Sequence, residues 1–253
     1  GPLGPWGYRW SSFAALPGAS LGVGLLSRLP ILSARAHGIT RLGETAPRPI
    51  LEVRVDAEGE DLVFFVCHWK SKLGGADATE GLRRTAAQVV ARRTAELAAT
   101  EPDTPVLVLG DLNENYDEYE RRGRTIATAL MPAPPGAESG TASGAGSVST
   151  GGDCLFLSSE QSCFPLWPRG LPIFYSPWTS GTWGGSYAYR GEWETIDHLL
   201  FGAACFDGAG WEFSSFSVAD GEPFVDDSGY PIAYNPRIGR GISDHLQIGR
   251  AHV

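Results

Sequence analysis

The sequence predicts an α+β fold in which mixed β-sheets pack face to face and helices lie outside them. Three observations carry this. Strand-like and helical segments alternate, tight hairpin signals join several of the strands, and some strands are apolar on both faces. Residues 21–26 (LGVGLL), closed by Ser27-Arg28-Leu29-Pro30, read as a short strand and a turn. Residues 50–55 alternate, with Leu51, Val53 and Val55 on one face and Glu52 and Arg54 on the other. Ala57-Glu58-Gly59-Glu60 is a hairpin turn into the continuous apolar strand 62–67. The clearest helix covers 80–99. Leu82, Ala86, Val89, Val90 and Leu97 form its inner stripe, Arg83, Arg92 and Glu96 fall mainly outside it, and Pro102 ends it. The run 106–109, between Asp103-Thr104-Pro105 and Gly110, is a strand buried on both faces, and a second helix is expected over about 116–130. Residues 132–152 are rich in Gly, Ser and Ala and are expected to form a flexible insertion within one domain, because strand signals resume beyond them.

The chain has 253 residues, of which 42% are hydrophobic and 19% charged, enough for a sizeable core. Eight Trp against one Met, with abundant Gly and Pro, suggest many loops ordered by aromatic packing. No apolar run approaches the roughly 20 residues of a membrane-spanning helix. A net charge of −9 argues against tight sequence-independent binding of nucleic acid, but leaves room for a local basic groove or a bound cation. The four cysteines lack zinc-site spacing; Cys154 and Cys163 could form a disulfide in an exported protein or remain thiols. Localisation stays open, with a secreted, periplasmic or surface-anchored protein slightly favoured.

Four segments deliver titratable residues at the end of an apolar strand or loop: Cys67-His68-Trp69-Lys70, Gly110-Asp111-Leu112-Asn113, Ile196-Asp197-His198 and Ser243-Asp244-His245. In extended backbone, Asp111 and Asn113 would point the same way, although both residue types also cap helices well. Clustered Asp, Asn and His suit a hard divalent cation and general acid–base chemistry.

These motifs, with GVGLLSR upstream (Gly22 to Arg28), resemble the endonuclease/exonuclease/phosphatase superfamily over residues 8–247. The resemblance implies a four-layer sandwich with two mixed sheets inside, and a metal-dependent phosphoester hydrolase using in-line attack of water on phosphorus. It implies Mg²⁺, with Mn²⁺ or Ca²⁺ as alternatives, and a monomer acting on a nucleic acid, a phospholipid or a small phosphate ester. Asp111 and Asn113 would orient the water and the scissile phosphate. Asp244, with Asp111, would hold the metal, and His245 would contact phosphate or act as base, oriented by Asp197. His68 matches a histidine that contacts phosphate or protonates the leaving group. Lys70, Lys72 and Arg48 are candidate phosphate contacts, and Tyr187, Tyr189 and Trp193 candidate walls of the substrate groove. His198 is left out, because it faces the other side of its strand. The family's first strands, with their Asn and metal-binding Glu, are expected upstream of Gly1, since residues 1–19 contain neither Asp nor Glu. The domain is therefore read as 1–247, incomplete at its start and weak or inactive alone, with 248–253 as a non-native tail.

Two rival readings remain. One is a catalytically degenerate binding protein of the same fold, which the retained Asp111, Asn113, Asp197, Asp244 and His245 argue against. The other is a serine hydrolase. Gly18-Ala19-Ser20-Leu21-Gly22 matches G-x-S-x-G, and Ser20, Asp111 and His245 follow in triad order. That motif needs a strand before the serine and a helix after it, and neither is signalled here.

Overall fold

A computed structural model of the chain describes residues 4–134, 152–167, 169–180 and 183–249. The elements run Trp10–Ala14 (β1), Val23–Ser27 (β2), Ile31–His37 (β3), Thr40–Arg41 (β4), Glu44–Thr45 (β5), Ile50–Ala57 (β6) and Glu60–His68 (β7). Helix Ala76–Thr100 (α1), Val106–Asp111 (β8), the one-turn helix Glu118–Arg121 (α2), Leu130–Pro132 (β9), Leu155–Ser158 (β10) and Ile173–Tyr175 (β11) follow. Tyr187–Tyr189 (β12), Glu192–Glu194 (β13), Asp197–Phe201 (β14), Ser217–Val218 (β15) and Ile248–Gly249 (β16) complete the order.

Eight strands form one mixed sheet in the order β3-β6-β7-β8-β14-β11-β10-β9, and the other strands pair in twos. Side-chain alternation along β8 decides what covers each face. Val106 and Val108 pack with Leu82, Val89, Val90 and Leu97 of α1, together with Val63 and Phe65 of β7. Leu109 points to the opposite face, where the β1–β2 hairpin lays Ala14 and Val23 over Leu51, Val53, Val55 and Val66. Leu107 meets an aromatic cluster that includes Phe164, Trp167, Tyr175 and Phe201. The result is the expected α+β sandwich, built from one large mixed sheet and smaller two-stranded sheets where two mixed sheets facing each other were expected. Phe65, Val90 and Val108 are wholly buried, and each such side chain stabilises the fold by about 1.5–3 kcal/mol.

α1 starts four residues before the predicted position 80, because Gly74 and Gly75, at φ 98° and 113°, turn the chain directly into it. The predicted helix over 116–130 is a correction. Only Glu118–Arg121 is helical; Gly123 and Arg124 adopt left-handed φ of 66° and 59°, and Leu130 pairs in register with Leu155 as a strand. Residues 135–151 of the expected insertion, and 250–253 of the expected tail, lie outside the described residues. Ile248 and Gly249 do not behave as a tail: they pair with Val218 and Ser217, and Ile248 packs beside Trp178 and Phe216. Cys154 and Cys163 are not joined to each other. Among the described residues no helix is long and apolar enough to cross a membrane.

Candidate active site

Strand register assembles the site. β7 and β8 run parallel with His68 opposite Asp111, and β14 runs antiparallel to β8 with Asp197 opposite Asp111. Directly opposite residues share a face, so three neighbouring strands present His68, Asp111 and Asp197 as one row at the edge of the core. His68 Nε2 lies 3.4 Å from Asp111 Oδ2. His198, one residue on, faces the other way. It is wholly buried, and its Nε2 lies 2.8 Å from the Glu114 carbonyl oxygen, as strand alternation requires.

His245 completes the row from the C-terminal loop. Its Nδ1 is 2.7 Å from Asp197 Oδ2, which also accepts a hydrogen bond of 2.7 Å from Ser186 Oγ. The Ser186 carbonyl takes the Leu246 N–H, and the Tyr187 ring stacks on the imidazole at 4.6 Å. Trp178 Nε1 donates to the Asp197 carbonyl. Asp197 is thus fixed from three sides and holds His245 by Nδ1. Ser186 and Trp178 were not legible as site residues, since nothing in a Gly- and aromatic-rich loop marks which hydroxyl or indole turns inward.

Asn113 differs from expectation in detail. β8 ends at Asp111, and Asn113 takes a left-handed φ of 52°, so the two-residue alternation does not reach it. Its N–H donates to Asp111 Oδ1 at 2.9 Å and its amide donates to the Trp69 carbonyl at 3.3 Å. The acid therefore closes a local turn. It does not cap a helix, which begins only at Glu118. Asn113 still lines a cavity of about 400 Å³ with Lys72, Tyr187, Tyr189, Glu194 and Ile196.

The electrostatics separate the titratable groups. Burial, reinforced by the charge of Asp197, lifts Asp111 to about 6 against the pull of the Asn113 N–H, His245 and Arg48. Burial, with the charges of Arg48 and His245, pushes His68 down to about 4. Burial also acts to lower His245, but the hydrogen bond and charge of Asp197 outweigh it and raise the imidazole above its ordinary value. The row thus offers a His68 that is neutral at neutral pH, an Asp111 that titrates near 6, and a His245 whose protonated form Asp197 favours.

Asp244 is exposed, and its charge and that of Asp111 both act on His245 and Tyr187. Two hard oxygen donors suit Mg²⁺, an ion that keeps several waters and takes one or two carboxylates plus substrate oxygens. Among the described residues no three His, Cys, Asp or Glu form a group able to hold a metal ion.

The remaining candidates divide. The charge of Arg48 reaches both His68 and Asp111. Tyr189 is half exposed on the cavity wall, with the Arg190 guanidinium 5.1 Å over its ring. Lys72 lines the cavity, but its Nζ is held 2.6 Å from Glu118 Oε2. Lys70 is half-buried, and its carbonyl accepts from Arg83. Trp193 stacks on Tyr230 and packs with the Trp178–Phe216 cluster, away from the cavity lining. Ser20 is exposed in the β1–β2 loop, and His245 pairs with Asp197 in place of Asp111, so no Ser20–Asp111–His245 relay forms.

Beneath the row lies a buried ionic group that periodicity placed wrongly. Arg83, expected mainly outside the helix stripe, is fully buried. It donates to Glu114 Oε1, to Glu80 Oε2 at 2.8 Å, and to the Lys70 carbonyl at 3.1 Å. It therefore ties α1 to both chain segments that leave β7 and β8. The Glu80-x-x-Arg83 spacing was the available signal, since residues three apart on a helix are neighbours.

Comparison with known proteins agrees with this fold. The endonuclease/exonuclease/phosphatase family model matches residues 32–125. A structure of SeMet TDP2 from Caenorhabditis elegans aligns over 98% of this chain and 57% of its own, with TM-score 0.55 and 11% identity. D. rerio TDP2 complexed with a single-strand DNA product aligns over 98% and 78%, with TM-score 0.52 and 15% identity. A truncated C. elegans TDP2 aligns over 87% and 64%, with TM-score 0.48 and 12% identity. The chain thus spans less than two thirds of the C. elegans structures. No curated protein matches it.

Proposed function

We propose that this chain, which the endonuclease/exonuclease/phosphatase family model matches over residues 32–125, belongs to that family and hydrolyses a phosphoester by attack of water at the His68–Asp111–Asp197–His245 row. The observation that carries the reading is the register-fixed row with His245 locked onto Asp197. Because Nδ1 is engaged, His245 has Nε2 left for a substrate phosphate, and as imidazolium it stabilises charge that develops on phosphorus oxygens. Asp111, with a pKa near neutrality, accepts a proton from the attacking water. His68, neutral, donates a ring N–H toward the phosphate or its leaving oxygen, and Arg48 adds positive charge beside it. Asn113 sets the cavity wall against which the substrate rests. A divalent cation, Mg²⁺ in our reading, would be held in part by Asp111 and Asp244, and when bound it supplies charge neutralisation at the phosphate.

The substrate we propose is a nucleic-acid phosphodiester. The cavity beside the row carries the paired rings of Tyr187 and Tyr189, 6.4 Å apart and nearly parallel, a platform of the kind on which bases stack. The D. rerio neighbour that holds a single-strand DNA product makes single-stranded DNA the first candidate. The test is turnover of a single-stranded oligonucleotide, a phospholipid and an aryl phosphate, each with Mg²⁺ and with EDTA, for the wild-type chain and for Asp111→Asn and His245→Ala. Metal-dependent cleavage of the oligonucleotide that both substitutions abolish supports the assignment. Equal turnover in the variants and the wild type rejects it.

A further inference from the structure

Outside the row, a second polar cavity of about 280 Å³ lies between the β4–β5 hairpin and α1, lined by Thr40, Arg41, Gly81, Arg84, Thr85 and Asp153 among others. Gly81 sits in the interior of α1, where glycine is about 1 kcal/mol less favourable than alanine. What occupies the space of its missing side chain is the Arg41 guanidinium: a Cβ built on Gly81 would run into Arg41 Nη1 and lie 2.8 Å from Cζ. The hairpin that carries Arg41 turns through Leu42 and Gly43, both at positive φ (50° and 82°), which fixes where the arginine leaves the backbone. Arg41 is nonetheless without a carboxylate partner among the described residues, although Glu44 stands opposite it on the hairpin.

One turn along the same helix, Arg84 also faces the cavity. One of its terminal nitrogens is paired with Asp153, while its buried Nε has no acceptor. Two guanidinium groups therefore converge on one cavity with a single carboxylate between them, one held in a glycine seat and the other with an unused buried donor. The hairpin lies in the connection from His37 to Ile50, at the end of the sheet where His68 and Asp111 emerge.

We propose that this cavity is a phosphate-binding site, with Arg41 and Arg84 as the two clamps and Asp153 as the group that phosphate displaces. Guanidinium forks match the oxygens of a phosphate two at a time. The site is separate from the catalytic row, and its existence does not depend on the phosphoesterase reading. The phosphate is either free inorganic phosphate or a second phosphate of a polyanionic substrate.

The experiment follows the Arg41 and Arg84 Nε–Hε resonances of the ¹⁵N-labelled chain, assigned with Arg41→Lys and Arg84→Lys, as inorganic phosphate is added at constant ionic strength. Watching these two nitrogens separates this site from any phosphate bound at His245. The expected result is that both resonances move together and saturate with one dissociation constant. Gly81→Ala should displace Arg41 and weaken binding at least ~10-fold without lowering Tm. Asp153→Asn should tighten binding about 3-fold by freeing Arg84. A dinucleotide that moves the same resonances at lower concentration than phosphate would identify a substrate phosphate as the source, and a response to phosphate alone would assign the free anion. The proposal is overturned if the shifts do not saturate, if acetate produces them equally, or if Gly81→Ala binds as the wild type does.

Discussion

Replacing Asp197 by asparagine keeps the side chain's shape and removes its charge, so it isolates what that charge does to the row. Asp197 accepts from Ser186 and His245 at 2.7 Å each and stands opposite Asp111 across the β8–β14 ladder. Two titrations should respond. Asp197 outweighs the burial that disfavours charge on His245, so without it the imidazole should fall below its ordinary value. Asp111 is held at about 6 by burial and, next in size, by the Asp197 charge, so it should fall toward the ordinary carboxylate range. The acid limb of the pH–rate profile, where Asp111 must lose its proton, and the alkaline limb, where His245 must keep one, should therefore both move to lower pH. These limbs belong to the coupled cluster, since the groups lie within one another's fields. The loss of preorganised charge at His245 should lower kcat about 100-fold, or about 2.7 kcal/mol of transition-state stabilisation. The assay is kcat and KM from pH 5 to 9 on the substrate found active, with Tm and the His245 imidazole titration followed by NMR. An unchanged profile with near-wild-type kcat would falsify the claim that Asp197 acts through His245 and Asp111.

Asp111→Asn, His68→Ala and His245→Ala should each lower turnover by at least ~100-fold with little change in Tm, measured by steady-state kinetics and thermal melting. Arg83→Met should destabilise the chain by about 3–5 kcal/mol in urea unfolding, because it leaves Glu114 buried without its cation, while Glu80 keeps Arg122. Glu52 gives a pH-dependent stability test. Burial acts to raise it, but hydrogen bonds from His37 and the Arg93 fork win and hold it at about 2, below its unfolded value of 4.5. Its stabilisation is complete above about pH 4.5 and is lost as pH falls toward 2, so wild type and Glu52→Gln should differ by about 1–2 kcal/mol at pH 7, after allowance for solvent screening, and converge in acid. Parallel unfolding curves from pH 7 to pH 3 would contradict this.

The sequence made the strands and their ends legible because burial on both faces leaves a continuous apolar run, and such runs stop where a polar row begins. Val106–Asp111 and Asp197–Phe201 follow that rule, and the row they carry was readable as four polar strand ends. What escaped was set by tertiary partners. Arg83 looks solvent-facing by helical periodicity, yet Glu114, 31 residues away, draws it inside. The helical pattern over 116–130 was overridden by two left-handed residues and by a strand partner beyond the low-complexity stretch. Asn113 was placed beside Asp111 by a strand alternation that fails, since extended backbone ends two residues before it.

The row of His68, Asp111 and Asp197 is drawn from β7, β8 and β14, the middle of the eight-stranded sheet. Backbone amides there sit in ladders over wholly buried residues such as Phe65 and Val108, the class of position that exchanges its hydrogens only when the entire domain opens. The strand-borne part of the proposed chemistry therefore has the lifetime of the fold itself. On heating, catalytic loss and global melting should coincide, and the loops that wall the cavity can be rebuilt for other phosphoesters while the reacting groups keep their spacing.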